Sequence, residues 1–220
     1  GFSPADVAFE VMTISNNWPT IEPTLADLLV KLAGPLEGAT AYTAWDDTAQ
    51  IADRMARAGA RVMVENRVVS PFPTLVEIFS ETTIETSFSD PVRSPGFVTG
   101  GKLKPADTAI ALPPIGLKFD PGIAERDLFN RFEIPKATWA VLAIQHLLAQ
   151  CPGCVVVAVP HSVLQGIGSD YALRKKIVDS GRLQSVISLP AGLVFGTAIQ
   201  IAILVLGPNK PEEPVRFIDA

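Results

Sequence analysis

A chain of 220 residues is long enough for one full domain or two small ones. Hydrophobic residues at 48%, against 19% charged, exclude a disordered chain and fit buried parallel strands. The formal net charge of −5 argues against a free-standing, high-affinity DNA binder, whose surface is basic, but leaves room for nucleic acid contacts through a local patch or a partner subunit.

No N-terminal signal pattern is present and the chain opens without Met, so it reads as a cytoplasmic fragment of a longer protein. The stretch "PADVAFEVMTIS" spaces Val7, Ala8, Val11, Met12 and Ile14 at nearly helical intervals, and "TLADLLVKLAG" repeats this up to Gly34. A short strand is expected at "ATAYTA", then a helix at "TAQIADRMARAG" closed by Gly59. "ARVMVEN" predicts a strand carrying Glu65 at its end, "PTLVEIFSE" a short helix, and "TIETSFSD" a strand ending at Asp90.

Pro91 to Pro105, with three Pro and three Gly, reads as a loop. "ADTAIAL" is the next strand, residues 116–135 a second loop, and "PKATWAVLAIQHLLAQ" a strong helix with Pro135 near its start. "CVVVAVP" is a β-branched run of the kind buried in parallel sheets. "SDYALRKKIVDSG" predicts a helix capped by Ser169 or Asp170 and stopped at Gly181. "LQSVISLP", "AIQIAILVLG" and "VRFIDA" complete the strands.

The longest charge-free stretch, Leu183 to Asn209, has the length of a membrane span, but Pro190, Gly192, Gly196 and Gln200 interrupt it. Two buried strands joined by a loop, and no membrane contact, are expected instead. Cys151-Pro152-Gly153-Cys154 is a lone C-x-x-C. With His146 and His161 the only histidines and no second cysteine pair, no metal site is expected, because a zinc site needs four ligands. A thiol redox module remains a separate reading, disfavoured because the pair follows a helix instead of opening one.

Alternating strands and helices imply a mostly parallel α/β sheet covered on both faces, with the last two long strands antiparallel. Ligands bind such sheets beyond the carboxyl ends of the strands, near the switch point. Those ends carry Tyr42 to Thr48, Glu65, Asp90 and Leu112 to Ile115. Each has an ordinary reading beside the functional one. Glu65 is also an acid at a strand end, and Ser-Asp-Pro around Asp90 is also a plain turn. Arg174, Lys175 and Lys176 are either a phosphate-facing patch or the solvated face of a helix. His161 either lines the pocket or only follows a strand. Trp45 either fills space a ligand would take or packs on the core.

The stretch "VVVAVPHSVLQGIGSDYALRKKIVDSGRLQSVISLPAGLVFGTAIQIAILVLGP" resembles the N6-adenine DNA methylases, and more narrowly the modification subunits of type I restriction–modification systems. The shared features are a strand, Pro-x-x-Val-Leu, a helix with Leu-Arg-Lys, Val-Ile-x-Leu-Pro, a Phe-Gly-Thr segment and Ile-Leu-Val-Leu. "VRFIDA" fits as well, and "FSPADVAFEVM" resembles the family's N-terminal Tyr-Thr-Pro-x-x-Val helix. The resemblance implies an S-adenosylmethionine-dependent, methyltransferase-like (Rossmann-like) fold over 1–220, with residues 1–35 a helical lead-in and 36–220 the α/β core. It also implies DNA and other restriction–modification subunits as partners.

Resemblance assigns the cofactor loop, Asp-Pro-x-x-Gly-x-Gly in the family, to Tyr42-Thr43-Ala44-Trp45-Asp46-Asp47-Thr48-Ala49. Thr43 then stands at the acid position, and Asp47 and Ala49 fill both glycine positions, where a Cβ would intrude on the cofactor. Two acids there would also repel the cofactor's carboxylate. Glu65 takes the place of the acid on the ribose hydroxyls, and Asp90 that of the acid near the adenine ring.

The catalytic motif, Asn-Pro-Pro-Phe or Tyr, falls on Leu112-Pro113-Pro114-Ile115. In the family the Asn oxygen and the first Pro carbonyl accept hydrogen bonds from the flipped adenine's N6, and the aromatic ring stacks on the base. Leu112 accepts no hydrogen bond and Ile115 has no aromatic face. Loss of one such polar group costs about 10²–10³ in rate, by analogy with oxyanion donors. The expectation is a degenerate relative, with little or no methyl transfer, that keeps the fold as a DNA- or partner-binding scaffold. The alternative is an active N6-adenine DNA methyltransferase with altered motifs.

Overall fold

The computed structural model describes residues 10–11, 14, 20–80, 82–117, 121–134, 136–194, 197–208, 210 and 213–220. Most of the helix expected over 4–15, Pro135, and Phe195 and Gly196 of the Phe-Gly-Thr segment lie outside them.

In chain order the elements are α1 (Pro23–Leu32), β1 (Thr40–Ala44), α2 (Gln50–Arg57), β2 (Arg61–Asn66), α3 (Phe72–Ser80), β3 (Ile84–Phe88), β4 (Val98–Thr99), β5 (Lys102–Leu103), β6 (Thr108–Ala111), α4 (Trp139–Gln150), β7 (Cys154–Pro160), α5 (Ser169–Asp179), β8 (Leu183–Ser188), β9 (Ile201–Leu206) and β10 (Arg216–Asp219). The sheet runs in the order β10-β8-β9-β7-β6-β1-β2-β3. Strand β9 is antiparallel to both β7 and β8, and the other pairings are parallel.

Side-chain alternation sends each central strand into two cores. Val155, Val157 and Val159 of β7 face the side covered by α4 and α5, while Val156 and Ala158 face α1, α2 and α3. Burial on both faces is why "CVVVAVP" is apolar throughout. Helix α1 starts with Pro23 in its first turn, where the missing N–H is no loss, and buries Leu25, Ala26, Leu29 and Val30 on one stripe. The charge-free stretch forms β8 and β9, and among the described residues no helix is long and apolar enough to cross a membrane.

Three local expectations need correction. Helix α5 is capped by Gly168, at φ 65, and by no side chain. Ser169 Oγ instead accepts from the Thr138 backbone N–H at 3.2 Å, and Asp170 Oδ1 from the Thr138 hydroxyl at 2.8 Å, fastening the start of α4 to α5. The Pro91–Pro105 loop contains the hairpin β4–β5, turned through Gly100 and Gly101 at φ 58 and 74. The loop at 116–135 contains a 3₁₀ helix, Pro121–Arg126. Two-residue strands and a six-residue 3₁₀ helix are too short to leave a periodic signal.

Candidate functional site

The chain enters the sheet at β1, moves outward through β2 and β3, and returns to place β6 on the other side of β1. The switch point therefore lies between β1 and β6, and both strands point their carboxyl ends to the same rim. A cleft of about 300 Å³ opens there, walled by Trp45, Asp46, Asp47 and Thr48 from the first loop and Leu112, Pro114 and Ile115 from the second. Ile21 and Val194, joined by a β-bridge, close a third side. Gln50 holds that side down, donating to the Ile21 carbonyl at 3.0 Å and accepting from the Ile21 N–H at 2.9 Å.

The loop after β1 takes left-handed backbone conformations at two residues that are not glycine. Ala49 sits in the left-handed region at φ 54, ψ 25, and Trp45 also has φ 61. Between them Asp46 is folded inward, at 6% exposure. Its Oδ2 accepts from the N–H groups of Ile51 at 3.0 Å and Ala52 at 2.8 Å, at the N-terminus of α2. The carboxyl thus occupies the donors that a helix start would offer to a ligand anion. Those N–H groups pull its pKa down, but burial outweighs them and raises it to about 7. Burial also raises Asp47, against the opposing pull of Arg67.

Glu65 and Tyr42 stand behind the cleft wall, in a buried chain of hydrogen bonds. Glu65 Oε2 accepts from the Tyr42 hydroxyl at 2.6 Å, and Oε1 from Ser89 Oγ at 2.5 Å and the Gly96 N–H at 2.6 Å. Both carboxylate oxygens are therefore hydrogen-bonded within the protein. The Tyr42 oxygen lies 2.9 Å from His146 Nε2, and His146 Nδ1 lies 2.9 Å from Arg131 Nη1. A guanidinium only donates, so Nδ1 is the acceptor and Nε2 carries the proton it gives to Tyr42. Burial and the Arg131 charge hold His146 well below its ordinary pKa, fixing this neutral tautomer. Arg131, 5% exposed, pairs with Asp127 at 2.8 Å and donates to the carbonyls of Pro91 and Val92, each at 2.6 Å.

Of the other expected cofactor residues, Thr43 is fully buried with its hydroxyl unpartnered among the described residues. Asp90 closes a turn, accepting from the N–H groups of Val92 and Arg93, and pairs with Arg67 at 3.2 Å. Asp47, Leu112, Pro114 and Ile115 do meet in one cleft. Pro113 faces a second hollow of about 210 Å³ shared with Trp139 and Asp170, and the Trp139 indole donates to the Pro114 carbonyl at 2.6 Å. Trp45 serves both its readings: it walls the cleft and packs edge-on against Trp139, with centroids 5.2 Å apart.

The basic run is occupied locally. Arg174 donates to the carbonyls of Val163 and Gly166, Lys175 pairs with Asp179, and Lys176 with Glu133 at 2.6 Å. His161 is outside the residues that wall the two clefts. Cys151 and Cys154 are free thiols, and burial pushes Cys151 up to about 12, far from a reactive thiolate. Among the described residues no group of His, Cys, Asp or Glu could hold a metal ion.

Sequence reasoning missed Asp46, Arg131 and His146 as organising residues. Asp46 carried a signal, an Asp just before a helix start. The other two carried none, because their partners are remote in sequence.

The twisted, mostly parallel sheet with its cleft at the switch point is an S-adenosylmethionine-dependent methyltransferase-like fold. The N-6 DNA Methylase family matches residues 76–220, well over half of the chain, and the chain belongs to that family. Solved structures that share the fold include the following three. A type I restriction–modification methyltransferase subunit from Streptococcus thermophilus superposes with a TM-score of 0.79 at 20% identity, over 91% of this chain and 47% of that one. A modification subunit of a putative type I restriction enzyme from Vibrio vulnificus gives 0.77 at 15%, over 100% and 53%. A putative class I S-adenosylmethionine-dependent methyltransferase from Listeria monocytogenes gives 0.66 at 18%, over 89% and 62%. The chain thus spans about half the length of the two type I subunits.

Proposed function

We propose that this chain is a degenerate member of the N6-adenine methylase family, with little or no methyl transfer, acting as a scaffold that contacts DNA or other restriction–modification subunits. The observation that carries this reading is Asp46, whose carboxyl sits on the α2 N-terminus where a cofactor's carboxylate would be received. Whether charged or protonated, it takes the space and the donors. The rest of the site agrees. Ala49 and Asp47 add Cβ atoms at the glycine positions, and Glu65 is fully buried with both carboxylate oxygens already hydrogen-bonded. Leu112 and Ile115 bring only apolar surface to the place of base recognition. These residues do not fit S-adenosylmethionine held in the family's mode. The scaffold role is supported by likeness to a type I restriction–modification system solved as a complex assembly. Isothermal titration with S-adenosylmethionine is expected to give no binding stronger than about 10 µM, roughly −7 kcal/mol. Tighter binding overturns the reading and favours an active methyltransferase.

A further inference from the structure

We propose that Arg67, Arg93 and Arg126 form a phosphate-binding patch that meets the backbone of duplex DNA. The patch rests on the scaffold reading and names, of its two kinds of partner, the nucleic acid and the surface that receives it. A chain with a formal net charge of −5 can hold DNA only through a local concentration of cations. The basic run on α5 is not that place, since Arg174, Lys175 and Lys176 each have a partner within the fold. The three arginines sit on the segments that follow β2, β3 and β6. Those strands all run parallel to β1, so their carboxyl ends share the rim that carries Leu112 to Ile115.

All three are exposed. Arg93 and Arg126 wall one hollow of about 220 Å³ together with Val92, Ile123 and Asp127. The Asp127 side chain is 2% exposed and paired with Arg131 at 2.8 Å, so its charge is already met from within. Arg131 also donates to the Pro91 and Val92 carbonyls, which fixes both sides of the hollow on one buried side chain. Arg67 joins the pair through Asp90, whose Oδ2 holds its guanidinium at 3.2 Å while Oδ1 accepts from the Val92 and Arg93 N–H groups. Three guanidiniums thus gather where Asp90 and Asp127 are each already bonded. Arg93 and Arg126 have contacts of their own within the protein. A guanidinium carries five N–H donors, so such a contact leaves others for an anion. A phosphate is small enough to enter between two of these forks and to be held from both sides. Contacts of this kind position DNA without reading its sequence, as suits a chain whose base-recognition loop has only apolar side chains to offer.

The test follows a fluorescently labelled duplex of about 20 base pairs by anisotropy, titrated with the chain between about 20 and 150 mM NaCl. Three phosphate contacts give a slope of log K against log[salt] of about −2.7. Arg93→Gln with Arg126→Gln is expected to bring that slope to about −0.9 and to weaken binding alike on duplexes of unrelated sequence. Lys175→Gln with Lys176→Gln removes the same charge from α5 and should leave slope and affinity within about twofold of wild type. Arg93→Lys with Arg126→Lys keeps the charge and should keep a slope near about −2.7, which separates loss of charge from loss of fold. Four results each overturn the patch: no duplex binding at the lowest salt, a Gln pair with the wild-type slope, an α5 pair that loses as much, or a Lys pair that behaves as the Gln pair does. A polyglutamate peptide of matched charge that binds as tightly as the duplex also overturns it, in favour of an acidic protein partner. Calorimetry with S-adenosylmethionine judges the degenerate reading separately. Failure of the duplex alone leaves that reading standing, with other subunits as the partners.

Discussion

Asp46 sets the electrostatics of its loop from a buried position. The carboxyl caps α2 from inside the loop, and burial raises its pKa from 3.8 to about 7. An acid whose folded pKa is raised binds its proton more tightly in the native state. Its stabilisation is therefore complete below the unfolded value and is lost as pH rises from about 4 through about 7. Asn at this position keeps an oxygen acceptor for the Ile51 and Ala52 N–H groups but has no proton to lose. Asp46→Asn is thus expected to match wild type near pH 4 and to exceed it by up to a few kcal/mol at pH 8, in urea unfolding measured across that range. Parallel pH profiles for the two proteins would refute the assignment. Ala49 adds a second local tension. A non-glycine residue at φ 54 costs on the order of 1 kcal/mol, so the rest of the loop holds Ala49 in this left-handed shape against its own preference.

Between elements, the buried chain from Asp127 through Arg131, His146 and Tyr42 to Glu65 joins the loop before α4, helix α4 and strands β1 and β2. Arg131 also reaches the Pro91 and Val92 carbonyls, so the long loop after β3 hangs on it. Arg131→Leu would leave Asp127 buried and unpaired, at a cost of about 3–5 kcal/mol. Hydrogen exchange should show the amides of residues 91–97 losing protection before those of the sheet, and a cost under about 1 kcal/mol would show the chain to be dispensable. This network marks the limit of what the sequence could tell. The central strands were legible because burial on both faces makes them apolar throughout, as in "CVVVAVP", and the helices because their stripes recur, as in α1. The rim of candidate residues followed from strand ends alone. What was not legible depends on distance along the chain. Tyr42 and Glu65 are 23 residues apart, Tyr42 and His146 are 104 apart, and nothing local to Glu65 announces that its oxygens are already taken.

For the whole molecule, the question is whether the fold lacks only a few functional groups or has settled into a different use of its cleft. Leu112→Asn with Ile115→Phe would restore a hydrogen-bond acceptor and a stacking ring on a loop still shaped by Pro113 and Pro114. We expect this pair to give no labelled methyl transfer to duplex DNA, even with partner subunits supplied. Transfer requires cofactor and base held together in near-attack geometry, and the pair repairs only the base side. Adding Thr43→Asp, Asp47→Gly and Ala49→Gly reopens the glycine loop, yet Asp46 still caps α2 from within the cofactor's place. Methylation should therefore stay at background in the five-substitution protein and first appear, with calorimetric S-adenosylmethionine binding, once Asp46→Ala is added. Each variant is checked for cooperative unfolding, so that silence reflects the site and not the fold. Transfer by the unmodified chain would show that the altered motifs still work. Transfer by the two-substitution protein would show that the cofactor side was never lost, and that Asp46 gives way when the cofactor arrives.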